Sequence, residues 1–254
     1  HEKAQAFGQE HIFRCWDSLD DTGRERLITE LAQVDFDLMQ RLADTWIFKT
    51  PESEIFKDIQ PVQLTAPATA QRADFKAAWE AGEEALRAGR VGLFLVAGGQ
   101  GTRLGYDGPK GAYPMGPITK KSLFENHAEK IHNFQARYDC VLPWYIMVST
   151  TNGPATEAFF REHDFFGLKE ENIKFFTQRM VPCLDEAGKF MLAAPDSLAM
   201  NPNGHGGSIP ALVENGILDD ARSRGIDTLS YFQVDNWAAN IVDPYFIGYH
   251  VLAQ

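Results

Sequence analysis

Hydrophobic positions along the chain follow two patterns. Val91-Gly92-Leu93-Phe94-Leu95-Val96 lacks the alternation of a half-exposed strand, so it predicts a parallel β-strand buried on both faces. Val141–Ser149, Ile173–Thr177 and Leu229–Val234 are read as further strands, with Pro143 interrupting only the start of the first. Between them the apolar residues space out to helical periods. Phe75, Trp79 and Leu86 share a face of a helix predicted over Ala73–Arg87 and closed by Gly89. Ser122 with Glu125 three positions on predicts a capped helix to about Arg137. Ala155–His163 reads as a short helix, and Pro244 marks the first turn of another. Strands alternating with helices at these lengths predict a three-layer α/β/α sheet with ligands over the strands' carboxyl ends.

Residues 1 to about 50 read as helices without chemistry of their own. Asp20-Asp21-Thr22 offers a cap, and Leu27, Leu31, Val34 and Leu38 form an apolar stripe. Thr50-Pro51, Gln60-Pro61 and Ala66-Pro67 break the pattern and predict a wrapping connection. The expected organisation is therefore a helical extension with its wrapping segment over 1–70 and an α/β domain over 71–254.

The first strand runs straight into Ala97-Gly98-Gly99-Gln100-Gly101-Thr102-Arg103-Leu104-Gly105, followed by Gly108-Pro109-Lys110. Glycines at 98, 99 and 101 remove the Cβ atoms that would hold a phosphate away, so successive N–H groups can face one anion. Arg103 and Lys110 add full charges. The dinucleotide fingerprint G-x-G-x-x-G fails here, because Leu104 occupies its third slot. The P-loop fails too: Pro109 and Gly111 flank Lys110, which predicts an extended loop at the lysine. A plain surface turn is the alternative. The strand with G-G-x-G-T-R-L and the later P-K resembles the sugar-nucleotide pyrophosphorylases. With Gly111-Ala-Tyr and Lys120-Lys121-Ser122-Leu123-Phe124 it looks most like the eukaryotic-type UDP-N-acetylhexosamine pyrophosphorylases. Trp16-Asp17-Ser18-Leu19 and Leu31-Ala32-Gln33-Val34-Asp35-Phe36 resemble that family's N-terminal helical extension. The resemblance implies a GT-A-like, Rossmann-like nucleotidyltransferase fold with a mixed sheet.

Composition narrows the partners. A formal charge of −11 without a long basic run speaks against nucleic acid. Basic residues gather instead at Arg103, Lys110, Lys120 and Lys121, which suits a small polyanion. The 3 cysteines are widely spaced without C-x-x-C, so neither a disulfide framework nor a zinc site is expected, and a reducing, cytoplasmic setting is. No apolar run is long enough to span a bilayer and no signal peptide is seen, although the chain begins with His1.

Three further constellations fall at predicted strand ends. Gln178 follows Thr177, and its neutral amide can pair with a pyrimidine edge; a solvated loop glutamine is the alternative. Asn201-Pro202-Asn203-Gly204-His205-Gly206-Gly207 leaves its backbone free to approach a base or a sugar. Asp235-Asn236 closes the last strand, where a carboxylate can anchor Mg²⁺ against phosphate oxygens or simply cap the next turn.

Carried over residue by residue, the resemblance implies nucleotide contacts from Ala97, Gly98, Gly99, Gly101, Thr102, Gln178, Pro202 and Gly204, with Gln178 and Gly204 on uracil. It implies that Arg103 and Lys110 are catalytic, that His205 and Asn236 meet the sugar, and that Asp235 holds Mg²⁺. His205 stands where the N-acetylhexosamine enzymes usually carry Asn and is more typical of UDP-glucose pyrophosphorylases; a turn-bound histidine is the alternative. The implied activity is uridylyl transfer from UTP to a hexose 1-phosphate, N-acetylglucosamine 1-phosphate favoured, giving a UDP-sugar and pyrophosphate. UDP-glucose or a broader sugar range is the alternative product, and a UTP-binding module without turnover the alternative class. An NAD-dependent oxidoreductase would require an acidic residue after the second strand, where the chain has Ser149. Family members continue beyond Gln254, so a catalytic domain truncated at its C-terminal end is expected.

Overall fold

The computed structural model describes residues 1–49, 59–61 and 73–254. Thr50-Pro51 and Ala66-Pro67 lie outside the described residues. In chain order the strands are β1 (Val91–Val96), β2 (Trp144–Val148), β3 (Ile173–Thr177), β4 (Met180–Pro182), β5 (Leu192–Ala194), β6 (Ser197–Leu198), β7 (Met200–Pro202) and β8 (Thr228–Gln233). The α-helices are α1 (Glu2–Ala6), α2 (Asp21–Ala32), α3 (Phe36–Trp46), α4 (Ala73–Arg87), α5 (Leu123–Tyr138), α6 (Gly153–Glu162), α7 (Ser208–Glu214), α8 (Ile217–Ser223) and α9 (Pro244–Leu252). The chain divides into two compact units, one of His1–Leu64 with Met180–Pro202 and the other of Thr65–Arg179 with Asn203–Gln254.

The second unit is built on a parallel sheet in the order β3-β2-β1-β8. Both faces of the sheet are covered, which is why its strands carry few polar residues. Leu93, Leu95, Trp144 and Ile146 pack with α4, α5, α6 and α9 through Leu86, Phe124, Phe160 and Ile247. Phe94, Tyr145, Met147 and Phe176 pack with α7 and α8 through Leu212 and Ile217. These are the expected three layers, and the antiparallel pairs β4–β7 and β5–β6 lie in ribbons of the other unit. Local signals act as their chemistry dictates. The Ser122 hydroxyl accepts from the Glu125 amide at 3.0 Å, and Asp243 accepts from Tyr245 and Phe246, with Pro244 in the first turn of α9. Two element starts shift by more than one residue from the sequence reading. The strand expected from Val141 begins at Trp144, since Pro143 has no N–H for the ladder, although its carbonyl accepts from Leu93 at 2.8 Å. The helix expected from Ala155 begins at Gly153, with Pro154 tolerated in its first turn.

In α4 and α9 the backbones touch. A Cβ on Gly248 would fall 1.6 Å from the Ala78 carbonyl oxygen, and one on Gly82 would fall 1.9 Å from that of Pro244. Only glycine permits such an approach. Phe75 stacks on Tyr245 with ring centroids 3.7 Å apart beside this seam.

The first unit joins segments distant in sequence. The apolar stripe of the N-terminal region belongs to two helices, because Asp35 caps α3 just after α2 ends. Leu27, Leu31, Phe36 and Met39 share a core with Phe190 and Leu198. Glu30 accepts from the Leu198 amide at 2.7 Å, and Gln9 bonds both Gly188 and Phe190 at 2.9 Å.

Candidate active site at the carboxyl edge of the sheet

The strand ends fall level, with Val96 beside Met147 and Gln233, and Val148 beside Thr177. Chain order reverses at β1, which has β2 on one side and β8 on the other. A parallel sheet opens a crevice at such a reversal. The expected site residues of this unit follow these ends.

The glycine loop turns back on itself. Gly101 N–H donates to Gly108 O at 2.9 Å and Lys110 N–H to Gly99 O at 3.1 Å, so 99–101 runs antiparallel to 108–110. The Gly101 amide is thus committed within the loop, which corrects the expectation that all three glycine amides face one anion; those of Gly98 and Gly99 make no such bond. Gly101 serves packing instead, for a Cβ there would come within 2.8 Å of the Tyr106 ring. Gly98 backs onto the Ser149 amide and the Gln178 side-chain oxygen, 3.4 and 3.5 Å from where a Cβ would stand. Ala97 is buried, while Thr102 and Arg103 are exposed on a single 3₁₀ turn. Arg103 makes no ion pair among the described residues.

Lys110 also departs from expectation. It opens a 3₁₀ turn over Lys110–Ala112, because Pro109 with ψ 135° caps the turn and its carbonyl accepts from the Ala112 amide at 3.0 Å. Gly111 fits beneath the Phe124 ring, which a Cβ would approach to 2.1 Å. The turn sends the Lys110 ammonium to the Asp235 carboxylate at 2.9 Å, joining the loop after β1 to the end of β8. Lys110's hydrogen bond holds the Asp235 carboxyl below its usual range against the opposing effect of partial burial.

Gln178 is buried at 5% exposure and not solvated. Its backbone N–H donates to Val148 O, and its side-chain Nε2 donates to Gly204 O at 2.7 Å. Gly204 has φ 65° and ψ −174°, a backbone region open essentially to glycine alone. One amide proton and the side-chain oxygen of Gln178 remain beyond the Gly204 bond. His205 is exposed, with Nδ1 2.6 Å from the Tyr231 hydroxyl. Asn236 is exposed, its N–H donating to Gln233 O at 3.2 Å. Pro202 belongs to the other unit, where it pairs with Met180 at the end of β7.

Sequence reasoning missed Asn152. This fully buried amide donates to Ala97 O at 2.7 Å and Gly99 O at 3.1 Å, and accepts from Ser149 N–H and Oγ at 2.9 and 3.0 Å. Its one signal was an asparagine between a strand and Gly153-Pro154, which reads equally as an ordinary cap. His127 and Lys130 on α5 were missed as well, although they hold the backbone after β8. Burial pushes His127 down to about 4, with Lys130's charge adding to the effect and the bond to Val234 opposing it.

Among the described residues no group of three or more His, Cys, Asp or Glu could hold a metal ion. Asp235 is a single, half-exposed carboxylate, and Mg²⁺ at phosphate sites takes one or two carboxylates with substrate oxygens completing its shell. No helix among the described residues is long and apolar enough to cross a membrane.

A family profile described as UTP–glucose-1-phosphate uridylyltransferase matches residues 37–254. A Mus musculus protein called UDP-N-acetylhexosamine pyrophosphorylase-like protein 1 is 38% identical, over 98% of this chain and 52% of its own. The Saccharomyces cerevisiae UDP-N-acetylglucosamine pyrophosphorylase is 37% identical, over 96% of this chain and 54% of its own. The crystal structure of the Trypanosoma brucei uridine diphosphate N-acetylglucosamine pyrophosphorylase with an inhibitor superposes with a TM-score of 0.80 at 28% identity, covering 99% of this chain and 53% of that one. The chain thus spans about half the length of the curated relatives it matches.

Proposed function

Since the chain belongs to the UTP–glucose-1-phosphate uridylyltransferase family, we propose that it carries the nucleotide site of an enzyme joining UTP to N-acetylglucosamine 1-phosphate with release of pyrophosphate. The observation that carries this reading is the 2.9 Å pair between Lys110 and Asp235, which brings a cation and a carboxylate from two strand ends beside an open glycine loop. Nucleotidyl transfer asks a protein chiefly for positioning and charge neutralisation, and these groups supply both. The sugar phosphate arrives as an anion, so its oxygen attacks the α-phosphorus of UTP in line without a general base, and no covalent enzyme intermediate is needed. The Gly98 and Gly99 amides receive phosphate oxygens. Arg103, which pairs with no carboxylate among the described residues, holds the departing pyrophosphate. Lys110 neutralises the α-phosphoryl group. Asp235 would hold Mg²⁺, which would supply further neutralisation of phosphate charge.

Gln178 and Gly204 form the base-reading pair. With one Gln178 proton fixed on Gly204 O, the remaining donor and acceptor match a carbonyl oxygen and the N3–H of uracil. His205 supports a second reading, in which glucose 1-phosphate is the preferred sugar. Its imidazole is exposed beside Gly204, and the Tyr231 hydroxyl sets its orientation. Calorimetric titration with UTP, ATP, UDP-N-acetylglucosamine and UDP-glucose, each with Mg²⁺, tests these readings. Binding of uridine nucleotides alone is expected, about tenfold or more tighter than ATP. Equal affinity for ATP, or none for UTP, would refute the assignment.

A further inference from the structure

The segment that carries Asp235 leaves the sheet after Gln233, and besides the Lys110 bond to Asp235 it is held from α5. His127, fully buried on α5, lies 3.1 Å through Nε2 from Val234 O, and because a carbonyl only accepts, the imidazole donates. Lys130, one turn further along the same helix face, donates from its ammonium to Trp237 O and, at 3.0 Å, to Ala239 O. The two side chains therefore bracket Val234–Ala239, with Asp235 and Asn236 between them. Among the described residues the backbone of that stretch donates from Val234 N–H to Val96 O at 3.1 Å, from Asn236 N–H to Gln233 O and from Ala239 N–H to Asn236 O, and the amide of Asp235 itself makes no such bond. The ring of His127 also packs on Phe232, with centroids 5.1 Å apart, which anchors the donor to the strand it serves. Neither side chain approaches Lys110 or the glycine loop in any hydrogen bond of the described residues.

We propose that His127 and Lys130 are positioning residues, a two-point clasp from α5 that fixes the backbone after β8 and so aims the Asp235 carboxylate into the site. The proposal rests on the reading of Asp235 as the magnesium-binding group. Partners one shell out from a metal-binding carboxylate commonly account for 10- to 100-fold in affinity.

The test uses the unsubstituted chain, Lys130→Met, His127→Phe, His127→Gln and Asp235→Asn. Lys130→Met keeps the aliphatic stem, His127→Phe keeps the ring packing without the donor, and His127→Gln keeps a donor at similar reach. Amide hydrogen exchange, measured without ligand, should run about tenfold faster across 235–239 in Lys130→Met and His127→Phe, with β1 and β2 unchanged. In the same variants the gain in UTP affinity on adding Mg²⁺ should fall about tenfold, while metal-free UTP binding stays within about twofold. His127→Gln should restore both readouts. Unchanged exchange at 235–239, or faster exchange with the magnesium gain intact, would overturn the clasp. A full magnesium gain in Asp235→Asn would instead overturn the reading of Asp235, and the exchange data, taken without metal or nucleotide, tell the two failures apart.

Discussion

Asn152 uses its whole amide, giving both protons to loop carbonyls and receiving two donors from Ser149, all without solvent. Removing a buried group of this kind strands its partners, each a penalty of about 1–3 kcal/mol unless water enters. Asn152→Ala is therefore expected to destabilise by about 2–4 kcal/mol in urea denaturation and to weaken UTP binding, because the Ala97 and Gly99 carbonyls lose the group that fixes them. Little change in either would mean that the loop holds its own shape. His127 gives a second prediction. Its pKa falls from an ordinary 6.5 to about 4 on folding, so between those values the unfolded chain binds the proton that the folded chain refuses. Stability is full above about pH 6.5 and declines as pH falls towards 4, by up to about 3 kcal/mol from this residue. His127→Gln should flatten the part of the stability curve that lies in this window, and an unaltered curve would place the titration elsewhere.

Between α4 and α9, packing is set by two glycines that no periodicity reveals. Gly248→Ala would drive a methyl group into the Ala78 carbonyl, and since both atoms belong to helix backbones the helices themselves must part. A loss of about 3 kcal/mol or more is expected in thermal or urea unfolding, with Gly82→Ala behaving alike. A neutral result would show that the seam opens freely. The seam also marks where the sequence stops being readable. Capped helices and buried strands were visible because their causes are local: Ser122 and Asp20 meet their amides within three residues, and β1 has no polar position to expose. The glycine loop, Gln178 and Asp235 could be picked out because each follows a strand. What escaped reading depends on distant partners. Gln9 meets Gly188, Glu30 meets Leu198 and His127 meets Val234 across more than a hundred residues, and nothing in the local pattern of any of them names its partner. The Lys110 turn escaped for the opposite reason, since Pro109 forbids a long helix yet caps a single 3₁₀ turn well.

At the scale of the whole molecule, the chain carries a net charge of −11 but presents Arg103 and Lys110 at the proposed phosphate site. Its two units are both discontinuous in sequence, the second leaving off after Arg179 and resuming at Asn203. That order has a consequence for biosynthesis. β1 is complete at Val96, and β2 covers one edge of it within the next fifty or so residues, but the strand that covers the other edge starts at Thr228. At roughly 5–20 residues per second of translation, the central strand waits about ten seconds with a row of unpaired amides and carbonyls exposed. The nascent chain therefore offers a sticky strand edge to its neighbours on the same messenger, and yield at high expression should be governed by how quickly β8 follows or how well a chaperone shields β1 until it does.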